Sequence, residues 1–207
     1  HRNRECVYPF RKCGTLWTDA GKYHRLGEHC DEGSVFMKIK EILDFLQIQP
    51  GQQGLDATLG YGGHSSKMLE CLQQKGHLYA LDVDPIEMKK TQARLEGMGY
   101  GPDILTVKQM NFADIDLLVQ ETGKFDFVLA DLGVSSMQID NPERGFTYKQ
   151  EGPLDLRLNP EKGISAAERL KDISQAELEG MLMENSDEPY AREISMAILS
   201  EQRKGHV

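Results

Sequence analysis

The sequence predicts an α/β fold: a doubly wound, mostly parallel sheet with a small helical element beside it. Three observations predict it. Between residues 35 and 130, short apolar segments alternate with segments of helical periodicity, the order that produces parallel strands joined by right-handed crossovers. A glycine-rich turn, Gly60 to Gly63, follows the first apolar segment and opens a helix. An acid, Asp82, closes the second apolar segment, 22 residues after Gly60.

The elements follow in order. Phe36, Ile39, Leu43 and Leu46 recur at three and four, with Ile42 beside them, and Pro50-Gly51 stops that helix. Gly54 to Ala57 is a short strand. Residues 63–74 form a helix with Met68, Leu69 and Leu72 on one face. His77 to Leu81 is the second strand, and Pro85 suits the first turn of a helix that runs to about Leu95. Ile104 to Val107 is the third strand, and a helix passes through Ile115, Leu118 and Val119. Phe125 to Ala130 is the fourth and most apolar strand, a pattern that fits burial on both faces of a parallel sheet.

After Asp131 the chain is rich in Gly and Pro up to Gly163. Short helices start at the caps Ser165 and Ser174, and another spans about Glu188 to Arg203. Three divisions result: an irregular basic arm over 1–33, the sheet domain over 34–163, and a helical element over 164–207.

Composition narrows the class. Hydrophobic content of 39% and charged content of 28% read as a soluble globular chain. No apolar run approaches the roughly 18 residues that span a bilayer, and no apolar signal segment follows the polar start, so a cytoplasmic location is expected. The net charge of −9 argues against a nucleic-acid partner. The charge is uneven, however. Residues 1–27 carry six bases and two acids, a net of +4, which leaves −13 on the rest. That arm is either a phosphate-reaching segment or a solvated terminus. Cys6, Cys13, His24, His29 and Cys30 lack the C-x2-C spacing of a zinc hairpin, and no metal is expected. Cys71 falls at an apolar helix position and reads as core.

Four segments carry chemistry. Asp56 to His64 joins a strand to a helix through glycines that let the backbone approach a ligand, with helix N–H groups facing it. The rival dinucleotide pattern, G-x-G-x-x-G, fits Gly60 and Gly62 but meets Ser65 at the third glycine. Asp82, at a strand tip, is placed to accept from ribose hydroxyls, whereas Asp84 before Pro85 reads as a helix cap. Asn111-Phe112 stands at the ligand end of the third strand, where Phe112 either flanks an adenine ring or joins the core. Asp131, at the tip of the fourth strand, is placed to orient a substrate amine. The Asn/Asp-Pro-Pro-aromatic motif of many amino-methyltransferases is missing there. The loop from Asp140 to Tyr148, with Gly152 to Arg157, mixes aromatics with arginine and suits a splayed-out base.

These strings resemble a known family. Asp56 to Ser65, Leu129 to Ser136, Asn141 to Phe146 and Glu151 to Arg157 are similar to the RsmH/MraW family, and Ser165-Ala166-Ala167-Glu168 to its insertion domain. The similarity covers about residues 35–205. It implies a Rossmann-like class I methyltransferase fold with a small helical insertion domain. It also implies S-adenosyl-L-methionine as cofactor, and methylation of N4 of a cytidine in small-subunit ribosomal RNA or an assembled small subunit. Carried over by motif, Gly60, Gly62, Gly63 and His64 form the cofactor loop. Asp82 holds the ribose, Phe112 lies by the adenine, and Asp131 and Gln138 stand at the amino-acid end or the reaction centre. Asp131 is the expected catalytic residue.

Three departures mark a divergent branch. Tyr61 stands where Gly or Arg is common, Met137 replaces the proline of Ser-Ser-Pro-Gln, and Ser34 to Met37 replaces a His-x-Pro-Val-Leu-like segment. The resemblance further implies a chain truncated at its C-terminal end, with the sheet domain and insertion incomplete. Two other readings stay open: a methyltransferase of this fold acting on another amine, and a non-catalytic cofactor-binding module.

Overall fold

The computed structural model describes residues 15–18 and 39–205. A five-stranded sheet comprises β1 (Thr15–Thr18), β2 (Gln53–Asp56), β3 (His77–Asp82), β4 (Leu105–Gln109) and β5 (Phe127–Ala130), in spatial order β1-β5-β2-β3-β4. Strands β5, β2, β3 and β4 are parallel; β1 runs antiparallel along β5, with Thr15 opposite Ala130 and Thr18 opposite Phe127. Between them lie α1 (Ile39–Leu46), α2 (Gly63–Leu72), α3 (Pro85–Gly97) and α4 (Ile115–Thr122), followed by the short α5 (Ser136–Asp140).

The strand β1 corrects the reading of 1–33 as irregular throughout. Thr-Leu-Trp-Thr is β-prone, but four residues among charged neighbours show no alternation, and the partner that forms the strand lies over a hundred residues away in sequence. The remainder of that arm, including Cys6, Cys13, His24, His29 and Cys30, lies outside the described residues.

Both faces of the sheet are packed, as the apolar fourth strand requires. On one face Phe127 and Leu129 of β5 join Leu78, Ala80, Met68, Leu69, Leu72 and Leu95 in the larger core. On the other, Leu55, Leu81 and Leu118 meet Val128, Ala130 and Phe125. The buried stripe of α2 is the expected one. In α1 it is rotated: Ile42 and Leu46 are buried, while Ile39 is 38% exposed. Cys71 is half-buried against the larger core rather than within it. Gly54 of β2 lies opposite Phe127. A Cβ there would sit 2.0 Å from the Phe127 ring, so the sheet keeps its central packing only with glycine at 54.

The chain divides into two compact units between Gln138 and Ile139. The sequence pattern alone puts this boundary at 163/164. Backbone bonds explain the difference: Ala166 and Ala167 donate to the carbonyls of Asp155 (2.8 Å) and Leu154 (2.9 Å). The loop thereby belongs with α6 (Ala166–Asp172), α7 (Gln175–Ser186) and α8 (Ala191–Arg203). Ser165 forms a capping box with Glu168, and Ser174 caps α7 through the Glu177 N–H. Ile173, Leu178 and Leu199 are the apolar centre of this helical unit. Among the described residues no helix is long and apolar enough to cross a membrane.

The loop of the helical unit is held by polar bonds. The buried Arg144 donates through Nη2 to the carbonyls of Arg157 and Leu158, each at 2.9 Å. Arg157 grips Asp155 in bidentate fashion, Nε to Oδ1 and Nη2 to Oδ2, both 2.7 Å. That pairing holds the Asp155 carboxyl at about 2, below its ordinary 3.8. A depressed carboxylate stabilises the fold above the unfolded value, and the contribution is lost as pH falls from 3.8 through about 2. Carboxyl-detected NMR is therefore expected to show Asp155 titrating near 2, and Arg157→Gln to return it toward 3.8. An unchanged midpoint in the variant would contradict the assignment.

Candidate functional site

The site forms where β2, β3 and β5 end. β2 ends at Asp56, whose carboxylate is buried and accepts from the Thr58 N–H (3.1 Å) and the Ser65 hydroxyl (2.6 Å). Burial pushes the Asp56 carboxyl above its ordinary value, and these two bonds partly offset it. Ser65, where a dinucleotide loop would carry its third glycine, is itself fully buried. Its hydroxyl ties the first turn of α2 to the end of β2, a bond that glycine would forfeit.

Between these anchors the chain turns through Gly60 (φ 48°) and Gly62 (φ 72°), both left-handed. The Gly60 N–H donates to Asp82 Oδ2 at 2.8 Å, and the Gly62 N–H to the Leu59 carbonyl at 2.7 Å. Gly62 is the N-cap of α2 and offers no capping side chain. The first-turn N–H groups, those of Gly63 and His64 among them, therefore have neither a helical acceptor nor a cap. They are donors suited to a carboxylate.

Asp82 is half-buried at the tip of β3. Its Oδ1 accepts the Asp84 N–H at 2.9 Å while Oδ2 holds Gly60. The Val83 N–H also bears on the carboxylate, and the acceptor capacity that remains fits a ribose hydroxyl. Desolvation raises the Asp82 carboxyl, and the N–H groups of Asp84 and Gly60 pull it back. Asp84 is the expected helix cap: its Oδ1 accepts from the N–H groups of Ile86 and Glu87. Phe112 follows β4 on a short 3-10 turn capped by Asn111, and it is 43% exposed. That exposure removes the reading of Phe112 as core and leaves an aromatic face at the rim.

Asp131 directly follows β5. Its N–H donates to the Thr58 hydroxyl at 2.8 Å, which fixes its backbone to the glycine loop. Its carboxylate is 60% exposed and stands 3.7 Å from His64 Nδ1. Two residues 67 positions apart in sequence are thus brought face to face at the crevice. Gln138 is buried, and its amide is engaged by protein: Oε1 accepts the Ser135 N–H (2.9 Å) and Nε2 donates to Asp84 Oδ2 (3.0 Å). The family motif implies Gln138 at the amino-acid end of the ligand or the reaction centre; in the structure its amide joins the loop after β5 to Asp84.

Asp56, Asp82 and Asp131 give the strand tips an acidic character. Such a crevice favours a cationic or hydroxyl-rich ligand over a pyrophosphate, which would meet carboxylates instead of cations. A sulfonium, a ribose and an amine all suit it. Sequence reasoning did not single out Thr91 and Arg94 of α3, which reach the glycine loop. Mid-helix positions carry no local signature, though their i, i+3 spacing places them on one face.

A family model described as the MraW methylase family matches residues 33–207. Ribosomal RNA small subunit methyltransferase H 1 of Lachnoclostridium phytofermentans is 71% identical over 168 residues, covering 81% of this chain and 46% of that protein. Ribosomal RNA small subunit methyltransferase H 2 of Alkaliphilus metalliredigens is 69% identical over 167 residues, covering 81% and 48%. A relative from Heliobacterium mobile, ribosomal RNA small subunit methyltransferase H, is 38% identical over 165 residues, covering 78% and 52%. The chain spans about half the length of the curated relatives it matches.

The bracing role of Gln138 predicts a stability effect. Gln138→Leu keeps the volume but leaves the Ser135 N–H without its acceptor, a loss of about 1–3 kcal/mol. Denaturant unfolding is expected to register that loss. Stability equal to that of the unsubstituted chain would show that the amide braces nothing.

Proposed function

Because the chain belongs to the MraW methylase family, we propose that it forms the cofactor-binding part of an S-adenosylmethionine-dependent methyltransferase whose substrate is N4 of a cytidine in small-subunit ribosomal RNA. The observation that carries the proposal is the pairing of Asp131 with His64 at 3.7 Å, beside a glycine loop held by Asp82. The names of the relatives supply the substrate class.

The residues present fit the cofactor. Asp82 would take the ribose hydroxyls and Phe112 the adenine face. The first turn of α2, at Gly63 and His64, would take the amino-acid carboxylate. When bound, S-adenosylmethionine supplies an electrophilic methyl group. Cytosine's exocyclic amine is a poor nucleophile, because its lone pair is delocalised into the ring. The chain's task is therefore to orient that amine and take up the charge that develops on it. The exposed Asp131 carboxylate is an acceptor for the amine N–H and for the proton released as the N–C bond forms. Thr58 fixes the Asp131 backbone, and His64 stands beside its carboxylate.

Asp131→Asn keeps the shape and removes the charge. Methyl transfer is expected to fall by about 100-fold or more. The substitution is made in this chain and in a form extended with the remaining sequence of one of its relatives. Small-subunit particles serve as substrate, with nucleoside analysis of the product. Full activity of Asp131→Asn in the extended form would remove Asp131 from the chemistry. Methylation of a peptide or small amine, but not of the particles, would overturn the substrate assignment.

A further inference from the structure

One face of α3 is built around the glycine loop. The Thr91 hydroxyl, 1% exposed, donates to the Gly60 carbonyl at 2.7 Å. One turn on, Arg94 Nη2 donates to the Tyr61 carbonyl. The Arg94 guanidinium also lies over the Tyr61 ring, 4.2 Å from its centroid. The packing is equally close, since a Cβ on Gly62 would sit 2.6 Å from Thr91 Cγ2 and 3.4 Å from Leu95 Cδ1. Two consecutive loop carbonyls are thus drawn toward α3, while Asp82 draws the Gly60 N–H toward β3.

These bonds have a directional consequence. A peptide unit whose carbonyl is held on one side presents the following N–H on the other: the Tyr61 N–H faces away from α3, while the Gly62 N–H closes the turn on the Leu59 carbonyl. With the Gly60 and Tyr61 carbonyls turned to α3, the loop cannot rotate those oxygens into the crevice, where they would repel a carboxylate. A glycine-rich loop has many conformations to lose on binding. Restraining it beforehand lowers the cost of engaging a ligand.

We propose that Thr91 and Arg94 are positioning residues that preset the glycine loop for the carboxylate end of the cofactor, with Tyr61 retained as the platform on which Arg94 rests. The proposal builds on the cofactor assignment above. It locates part of the cofactor's affinity in two α3 residues whose side chains are engaged with the glycine loop. It also accounts for the aromatic at position 61: a stacked guanidinium keeps one geometry, whereas a solvated one samples many.

The test compares two probes by isothermal titration. S-adenosylhomocysteine has the amino-acid end, and methylthioadenosine lacks it. Thr91→Val and Arg94→Met are each expected to weaken S-adenosylhomocysteine about tenfold, the scale of one lost bond to a buried or charged partner. Methylthioadenosine affinity should stay within about twofold of the unsubstituted chain, because Asp82 and Phe112 remain. Thr91→Ser, which keeps the hydroxyl, should recover most of the loss. Equal weakening of both probes, or unchanged S-adenosylhomocysteine affinity in Arg94→Met, overturns the proposal. Arg94 is half-buried and its replacement leaves the core intact, so Arg94→Met decides alone if Thr91→Val does not fold. Failure of the unsubstituted chain to bind either probe would instead strike the cofactor assignment on which the proposal rests.

Discussion

The carboxylate of Asp82 is the point on which the rest of the site depends. One oxygen holds the Gly60 N–H and the other the Asp84 N–H, so a single side chain joins the loop after β2 to the start of α3. From Asp84 the chain of bonds continues through the Gln138 amide to the Ser135 N–H, in the loop after β5. Three loops with no regular backbone pairing to one another are tied into one constellation by two carboxylates and an amide. The cost is desolvation: Asp82 is partly buried and Asp84 wholly so. Their backbone and amide partners compensate, as buried polar groups require.

This constraint explains the division of labour among the acids. Asp56 is buried and bonded to Ser65 and Thr58; its work is structural. Asp82 is half-buried, with acceptor capacity beyond its contacts to the N–H groups of Gly60, Val83 and Asp84. Asp131 is exposed and fixed only through its backbone. The three stand at the ends of neighbouring strands, yet solvent access grades them from closed Asp56 through partly open Asp82 to exposed Asp131, the order that the proposed roles of anchor, ribose acceptor and reacting group require. The same residue type serves three ends because each sheet position sets a different exposure.

Much of this was legible in the sequence. The alternation of apolar and helical segments is a direct consequence of burying both faces of a parallel sheet, and the Asp84-Pro85 cap and the Ser165 and Ser174 caps follow local rules that need no tertiary context. The positions of Asp82 and Asp131 at strand ends were legible from the apolar segments that they close, whereas the structural work of Asp56 and Asp82 depends on loop partners that the sequence does not display. What was not legible depends on distant partners. Thr15–Thr18 is a strand only because β5 accepts it. Phe112 could be core or rim until its exposure was known. Thr91 and Arg94 look like ordinary helix residues until the loop is folded over them. Gln138 carried a motif that pointed to the ligand, but its amide is occupied by Ser135 and by Asp84, the second of which lies 54 residues away in sequence.

The direct test of Asp82 as the joint of the site is titration with S-adenosylhomocysteine. A single binding site is expected, with Asp82→Ala weakening the affinity by about 1.5–3 kcal/mol, the range for hydrogen bonds to a charged group. Affinity unchanged in Asp82→Ala would contradict both the ribose contact proposed for it and the importance of its hold on the glycine loop.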